Sequence, residues 1–321
     1  MDTLRDLFPD HMGFVPSNFY VHIISIAQLQ DLTFLRTDQE VNRMQTKKNL
    51  DGVDFITRVM WMQRKLTSPQ RITGRQLLNE FGFISYEAGK ENSCIYNTIG
   101  AKRIPQQRCY KCADCILYGY AAQERGSQKA RVQGGSLFSL DDYSDSVETY
   151  TRVGFPESGT STNDPNINSE VFSGNLFQDS VVIPEVTFPN IISIKDTTYE
   201  GFLYVLYNIL ATKRYGAVVT KNGSVNNQIQ MILISNGDIF GNLHLSKALN
   251  TYSEFSVLEV IDRLLYKEFI RTQHKLYGEE LNSFLEEVRS LFQDREKCKA
   301  MLDKLSAQCI ANAQRAGRLK K

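Results

Sequence analysis

Apolar residues change their spacing several times along the chain, and the sharpest change lies between Val181 and Val219. That stretch opens with β-branched and aromatic residues, breaks at Asp196, and continues with Tyr199, Phe202, Leu203, Leu206, Ile209 and Leu210 at the spacing of one helix face. It predicts a strand, a helix and a second strand. Thr197 with Glu200 three residues on matches a capping box, and Asp196 adds negative charge at the positive helix end. Lys213 and Arg214 suit the opposite end, and Gly216 can leave helical space without a Cβ penalty. Val205 and Tyr207 lie off the main stripe, so this helix is expected against a sheet and partly covered on its second side.

The remaining pattern is read the same way. Asn18 to Ala27 (NFYVHIISIA) predicts a first strand, with His22 inside it as a packed or hydrogen-bonded residue. Leu32 to Asn49 has weak periodicity and reads as an exposed loop or irregular insertion. Val53 to Leu66, which holds the single tryptophan Trp61, is a strand or a helix, and Gly74 to Phe81 a short helix. Ile116 to Ala122 reads as strand, and Gly134-Gly135 as a bulge or turn. Phe155 to Ser180 is rich in Ser, Thr, Asn, Gly and Pro, a length of loop that is either disordered or a functional arm. Asn222-Gly223 signals a turn ahead of a strand at Gln228 to Ser235, and from Glu254 onward the pattern is helical to the end.

A chain of 321 residues accommodates two domains or one domain with large insertions. Hydrophobic content of 42% and charged content of 23% are ordinary for a globular protein. No apolar run is long enough to span a bilayer, and residues 1 to 15 lack the basic-then-apolar layout of a secretory signal. A cytoplasmic location without membrane contact is expected.

The net charge of +1 hides a segregated distribution. Nine basic residues face four acidic ones between Arg36 and Arg75, and seven face two between Lys102 and Arg131. Between Ser139 and Glu200 the balance reverses to two against eleven. Such blocks fit a basic surface for an anionic partner, or a patchwork of solvated faces.

Cys109-Tyr-Lys-Cys112-Ala-Asp-Cys115, with Cys94 upstream, is the strongest local motif. Overlapping C-x-x-C spacings in a reducing compartment favour a tetrahedral structural Zn²⁺ over a disulfide. Free cysteines, a histidine or water in place of Cys94, and a redox pair remain alternatives. Cys298 and Cys309 read as buried apolar groups on helices.

These stretches together resemble the backbone subunits of type I-D CRISPR interference complexes, in the repeat-associated RNA-binding superfamily. The resemblance spans most of residues 18 to 250. It rests on NFYVHIISIA, FLRTDQEVNRMQTKK, QRKLTSPQRITGRQLL, CYKCADCILYGYA with KARV after it, and above all DTTYEGFLYVLYNILATKRYGA. It implies an α+β fold, with a ferredoxin-like (RRM-like) palm over residues 1–253 and a helical C-terminal region over 254–321. The palm would carry a cysteine-rich insertion near 85–125 and a protruding loop near 155–180.

The resemblance further implies a scaffold that polymerises with copies of itself as a helical filament along CRISPR RNA and presents the bases for pairing to a target strand, DNA ahead of RNA. The large, end-capping and small subunits of the type I-D complex would be further partners. Phosphate contacts are expected from Arg36, Arg43, Lys47, Lys48, Arg64, Lys65, Arg71, Arg75, Lys129 and Arg131, and metal ligation from Cys94, Cys109, Cys112 and Cys115. Related RNA-cleaving subunits carry a catalytic aspartate on the loop after the first strand, where Asp31 and Asp38 lie here. Neither has a paired acid or histidine in sequence, so the chain is expected to be non-catalytic. A metal-dependent nuclease using Asp31 or Asp38, and a zinc-stabilised protein-interaction module, are the competing readings.

Overall fold

The computed structural model describes residues 2–13, 15–37, 40–95, 108–122, 126–153 and 176–317. In chain order the first half comprises α1 (Asp2–Arg5), β1 (Tyr20–Leu29), β2 (Arg43–Lys47), β3 (Phe55–Trp61), α2 (Gln63–Glu80), α3 (Ala113–Tyr118), β4 (Tyr120–Ala122), β5 (Gly126–Gln128), β6 (Val132–Gly134), β7 (Leu137–Asp142), α4 (Tyr143–Ser146) and β8 (Val147–Val153). The second half adds β9 (Leu176–Val182), β10 (Thr187–Lys195), α5 (Tyr199–Ala211), β11 (Val225–Ser235), α6 (Asn242–Thr251), α7 (Val257–Leu265), β12 (Thr272–Tyr277), α8 (Gly278–Gln293) and α9 (Arg295–Arg315). Helix and strand mix in an α+β architecture.

β1 buries consecutive residues from Val21 to Ala27, with His22 and Ser25 among the apolar ones, because both its faces are covered and a strand buried on both sides need not alternate. It is the centre of an antiparallel five-stranded sheet of order β12-β11-β1-β10-β6. β10 and β11 flank β1, both antiparallel to it, and α5 connects them, so β1 lies inside a split β-α-β unit. Register places Ile23 between Ile192 and Ile232 on one face, and Ile24 between Ile191 and Met231 on the other. The first face packs on Phe202 and Leu206 of α5, Leu77 and Leu78 of α2, and residues of α8 and α9. The second packs on Leu245 of α6 and Ile261 and Leu264 of α7. A third cluster joins the far end of β1 to Trp61, Leu66, Phe188 and Tyr215.

Several local expectations shift. The strand expected up to Val219 is a loop, with Gly216 at φ 88° and Val218 at φ 56°, and the return strand is β11. Tyr215 turns inward there, edge-on to Trp61 at 5.2 Å, which accounts for its apolar neighbourhood in sequence. Thr198, one residue later than expected, caps α5 by accepting from Gly201 N, and the Glu200 carboxylate instead accepts from Arg5 and Gln308. Asp196 has a larger role than helix charge. At φ 50°, its buried carboxylate accepts from Ser17 N, Ser17 Oγ and Phe19 N and locks the entry to β1.

The short helix expected at Gly74 to Phe81 is the second half of α2, which runs through Pro69. A proline in the second turn removes one backbone bond, while burial of Leu66, Gln70, Leu77 and Leu78 holds the helix together. Residues 116–122 divide between α3 and β4 rather than forming one strand, and part of the expected 32–49 loop is β2. The helical run after Glu254 is interrupted by β12, whose Leu276 pairs with Ile232 at the sheet edge. Most of the arm expected at 155–180 lies outside the described residues, with residues 176–180 belonging to β9. Among the described residues no helix is long and apolar enough to cross a membrane.

Candidate nucleic-acid interface and cysteine centre

Four cysteines converge from two segments. Cys94 is held by its amide, which donates to Ser85 O (2.9 Å) in the loop after α2. Cys109, Cys112 and Cys115 lead into α3 through a turn in which Tyr110 takes φ 59° and Cys112 N donates to Cys109 Sγ (3.3 Å). All four sulfurs lie within 4.8 Å of one another, with Cys94 3.9 Å from Cys112 and 3.7 Å from Cys115. A tetrahedron with Zn–S bonds of about 2.3 Å has sulfur edges of about 3.8 Å, so the donor set fits that ion.

The surroundings favour negative charge on Cys94 and Cys109 and oppose it on Cys112 and Cys115. Hydrogen bonding from Cys109, Cys112 and Cys115 drives the Cys94 thiol far below its ordinary range, whereas hydrogen bonding with Cys109, reinforced by Cys94 and by burial, pushes Cys112 and Cys115 up. Arg75 places Nη1 3.5 Å from Cys94 Sγ and 3.4 Å from Asp114 Oδ2. Arg71 meets the same fully buried Asp114 through two bonds of 2.9 Å. The cage, α2 and α3 are thus tied by one carboxylate between two guanidinium groups, an arrangement that is costly to leave half-paired.

The remaining expected phosphate contacts are spread over the molecule. Arg43, Lys47, Arg64 and Lys129 are exposed, and Lys65 is half-buried. Arg43 sits 3.7 Å from Glu40 and over the Tyr143 ring. Arg36 pairs with Asp179 and stacks on Phe34. Lys48 lines a cleft with Asp141, Asp142 and Asp145. Arg131 is buried and donates to Asp196 O (2.6 Å) and Gly13 O (2.7 Å), joining the β10–α5 turn to the N-terminal segment.

Arg64 and Lys65 come together with two residues that sequence reasoning had placed only as helix-end charges, Lys213 and Arg214. The four border a cleft of about 710 Å³ between the start of α2 and the loop after α5, and every charged residue lining it is cationic. Burial lowers the pKa of Lys65, and the neighbouring charges of Arg64 and Arg36 add to the shift. The tandem Lys213-Arg214 after the predicted helix was the available signal. Of the two aspartates considered for cleavage, Asp31 accepts from the adjacent Leu32 N (2.7 Å), and Asp38 lies outside the described residues. Among the described residues, the cysteine cluster is the one group of three or more His, Cys, Asp or Glu side chains placed to hold a metal.

A family model described as Csc2 CRISPR matches residues 3–302. The chain belongs to the Csc2 CRISPR family. The crystal structure of Thermofilum pendens Csc2 is similar to this Csc2-family chain at 14% identity and a TM-score of 0.58, covering 98% of this chain and 96% of that one. The two share a fold. A chain of a CRISPR RNA-guided surveillance complex in a pre-nicking state is similar at 10% identity and a TM-score of 0.49, covering 81% of this chain and 92% of that one. No curated protein matches the chain.

Proposed function

We propose that this chain is a non-catalytic, RNA-guided scaffold subunit of a type I-D CRISPR interference complex, holding the phosphate backbone of CRISPR RNA. The observation that carries the reading is the all-cationic cleft of Arg64, Lys65, Lys213 and Arg214 in a chain of the Csc2 CRISPR family. Cations in a cleft gain from a polyanion because each neutralised phosphate releases condensed counterions, and the carbonyls of Val219 and Asn222 orient Arg214 at its rim through Nη1. Arg43, Lys47 and Lys129 are further exposed cations away from that cleft. Arg71, Arg75 and Arg131 serve instead to hold the framework, since their guanidinium groups are committed to Asp114, Cys94 and backbone carbonyls.

On this reading several copies assemble along one guide, the bases pair with a target strand, DNA ahead of RNA, and further type I-D subunits complete the particle. The split β-α-β sheet, with β6 beside β10, has the strand order of a ferredoxin-like palm. Zn²⁺ in the Cys94, Cys109, Cys112 and Cys115 cage would act as a structural cross-link between the α2 loop and α3.

Binding to single-stranded RNA across a salt series tests the proposal. The wild type should bind with a steep salt dependence, and Arg64→Ala/Lys65→Ala should flatten the log–log slope by about 1.4, or roughly 0.7 per lost contact. A wild type that ignores RNA at low salt, or a variant with an unaltered slope, would overturn it.

A further inference from the structure

α7 carries opposite kinds of surface at its two ends. Past its C-terminal end, the turn into β12 holds Tyr266 at 92% and Phe269 at 105% relative exposure. Two aromatic rings left in water forgo burial of roughly 150–250 Å² each. The turn is firmly built: Tyr266 N donates to Asp262 O (3.0 Å), Glu268 N to Leu265 O (3.1 Å) and Arg271 N to the Asn236 side chain (2.6 Å). The rings are therefore held out as a knob, flanked by exposed Lys267 and Arg271, with Glu268 half-buried.

Beside the N-terminal end of α7 lies a cleft of about 670 Å³. Ile56, Leu249 and Phe255 give it apolar walls, and Asp141, Asp142 and Asp145 outnumber Lys48 among its charges. An apolar hollow with an acidic rim is the complement of an aromatic knob with a basic rim. The two lie at opposite ends of a nine-residue helix, roughly 14 Å long at 1.5 Å per residue, so a knob docks on another molecule's cleft more readily than on its own. Unlike patches on one chain join copies head to tail, into open rows or, where the rotation closes, rings, rather than into two-fold dimers.

We propose that the Tyr266–Phe269 knob of one copy inserts into the Asp141–Asp145 cleft of a second copy, head to tail. The inference rests on the reading of the chain as a polymerising scaffold and names the surfaces that join its copies. The acidic rim repels phosphate, which sets the cleft apart from the cationic groove between α2 and α5.

Sedimentation of the full chain over a concentration series, without RNA, tests the contact. One variant, Tyr266→Ala/Phe269→Ala, removes the knob. A second, Asp141→Lys/Asp145→Lys, reverses the cleft and spares Asp142, which caps α4 and accepts from Thr57 N. All four positions are exposed, so both variants should fold. The wild-type mass should climb past that of a dimer, each variant alone should associate at least about tenfold more weakly, and an equimolar mixture should stop at dimers, because each mixed pair retains one intact knob and cleft. A wild type that stays monomeric, a variant that associates like the wild type, or a mixture that stays monomeric overturns the proposal. RNA long enough for one copy separates the two ideas. Equal affinity of the knob variant and the wild type supports protein docking, whereas weakened affinity assigns the rings to base stacking and overturns it. Failure of the wild type to bind RNA would sink the proposed function, while the sedimentation result would still decide this contact.

Discussion

Burial lowers the pKa of His22 from 6.5 to about 4, against smaller upward contributions from the Gly237 carbonyl and Asp238. The ring is satisfied while neutral, with Nδ1 2.8 Å from Ser193 Oγ and Nε2 2.9 Å from Ser235 Oγ. In the unfolded chain the imidazole takes up a proton near 6.5, whereas in the folded chain it does so only near 4. Stability from this group is therefore complete above pH 6.5 and is lost as pH falls toward 4. At 1.36 kcal/mol per pH unit, about 2 kcal/mol disappears between pH 6.5 and pH 5. Chemical denaturation at pH 7 and pH 5 should show that loss in the wild type and a smaller one in His22→Gln; equal losses would refute the assignment. A packed, hydrogen-bonded histidine was legible from its place in a β-branched run. What single residues did not disclose was their partners. Arg71 and Arg75 have the same charge and sequence context as Arg64, yet a buried aspartate over thirty residues away claims both.

At the scale of elements, legibility followed the strength of one period. α5 was visible because ten of its thirteen residues are buried around a clear stripe, and β1 because β-branched and other apolar residues dominate it. α2 was half visible, since Pro69 and a largely polar surface hide its first turns, and β12 was hidden because an edge strand buries only Leu276. The α2–α5 contact also shapes the cationic cleft, because the two helices carry its walls. Their close approach occurs at Gly74, where an added Cβ would overlap the Asn208 amide and lie 2.5 Å from Tyr204 Oη. Neither neighbour can retreat: both are fully buried, and Asn208 Nδ2 donates to Tyr118 Oη (3.1 Å). Leucine at position 74 gains helix propensity of about 1 kcal/mol over glycine but overpacks by roughly 3 kcal/mol. Gly74→Leu should lower the free energy of unfolding by about 2 kcal/mol, read as a lower denaturation midpoint, and weaken RNA binding as the cleft walls separate. An unchanged midpoint would show that the helices do not depend on the missing side chain.

For the whole molecule, the difference between what was legible and what was not is a matter of sequence distance. Three of the four cysteines lie within seven residues, so their spacing alone reported a shared ligand geometry. The cationic cleft joins residues 64–65 to 213–214, and no local pattern announces a junction that only the completed β10-α5-β11 unit creates. The cysteine cage then poses a question of mechanical role. It lies in the main core cluster with Ile116 and Leu117, and α3 packs on α2 and α9, but β1 draws its packing from many other residues. Four sulfurs this close, with Arg75 beside them, hold together best around a divalent cation. Freshly purified protein should therefore contain about one zinc per chain, and absence of metal would end the zinc assignment. Chelation, or Cys112→Ser, should lower Tm by at least about 3 °C, the shift that roughly 2 kcal/mol gives in a chain of this size. Hydrogen exchange should locate the damage: amides of α3 exchange faster while those of β1 keep their protection. Uniform loss of protection would make the cage a keystone of the whole fold, and no loss at all would make it dispensable; either result contradicts a local cross-link.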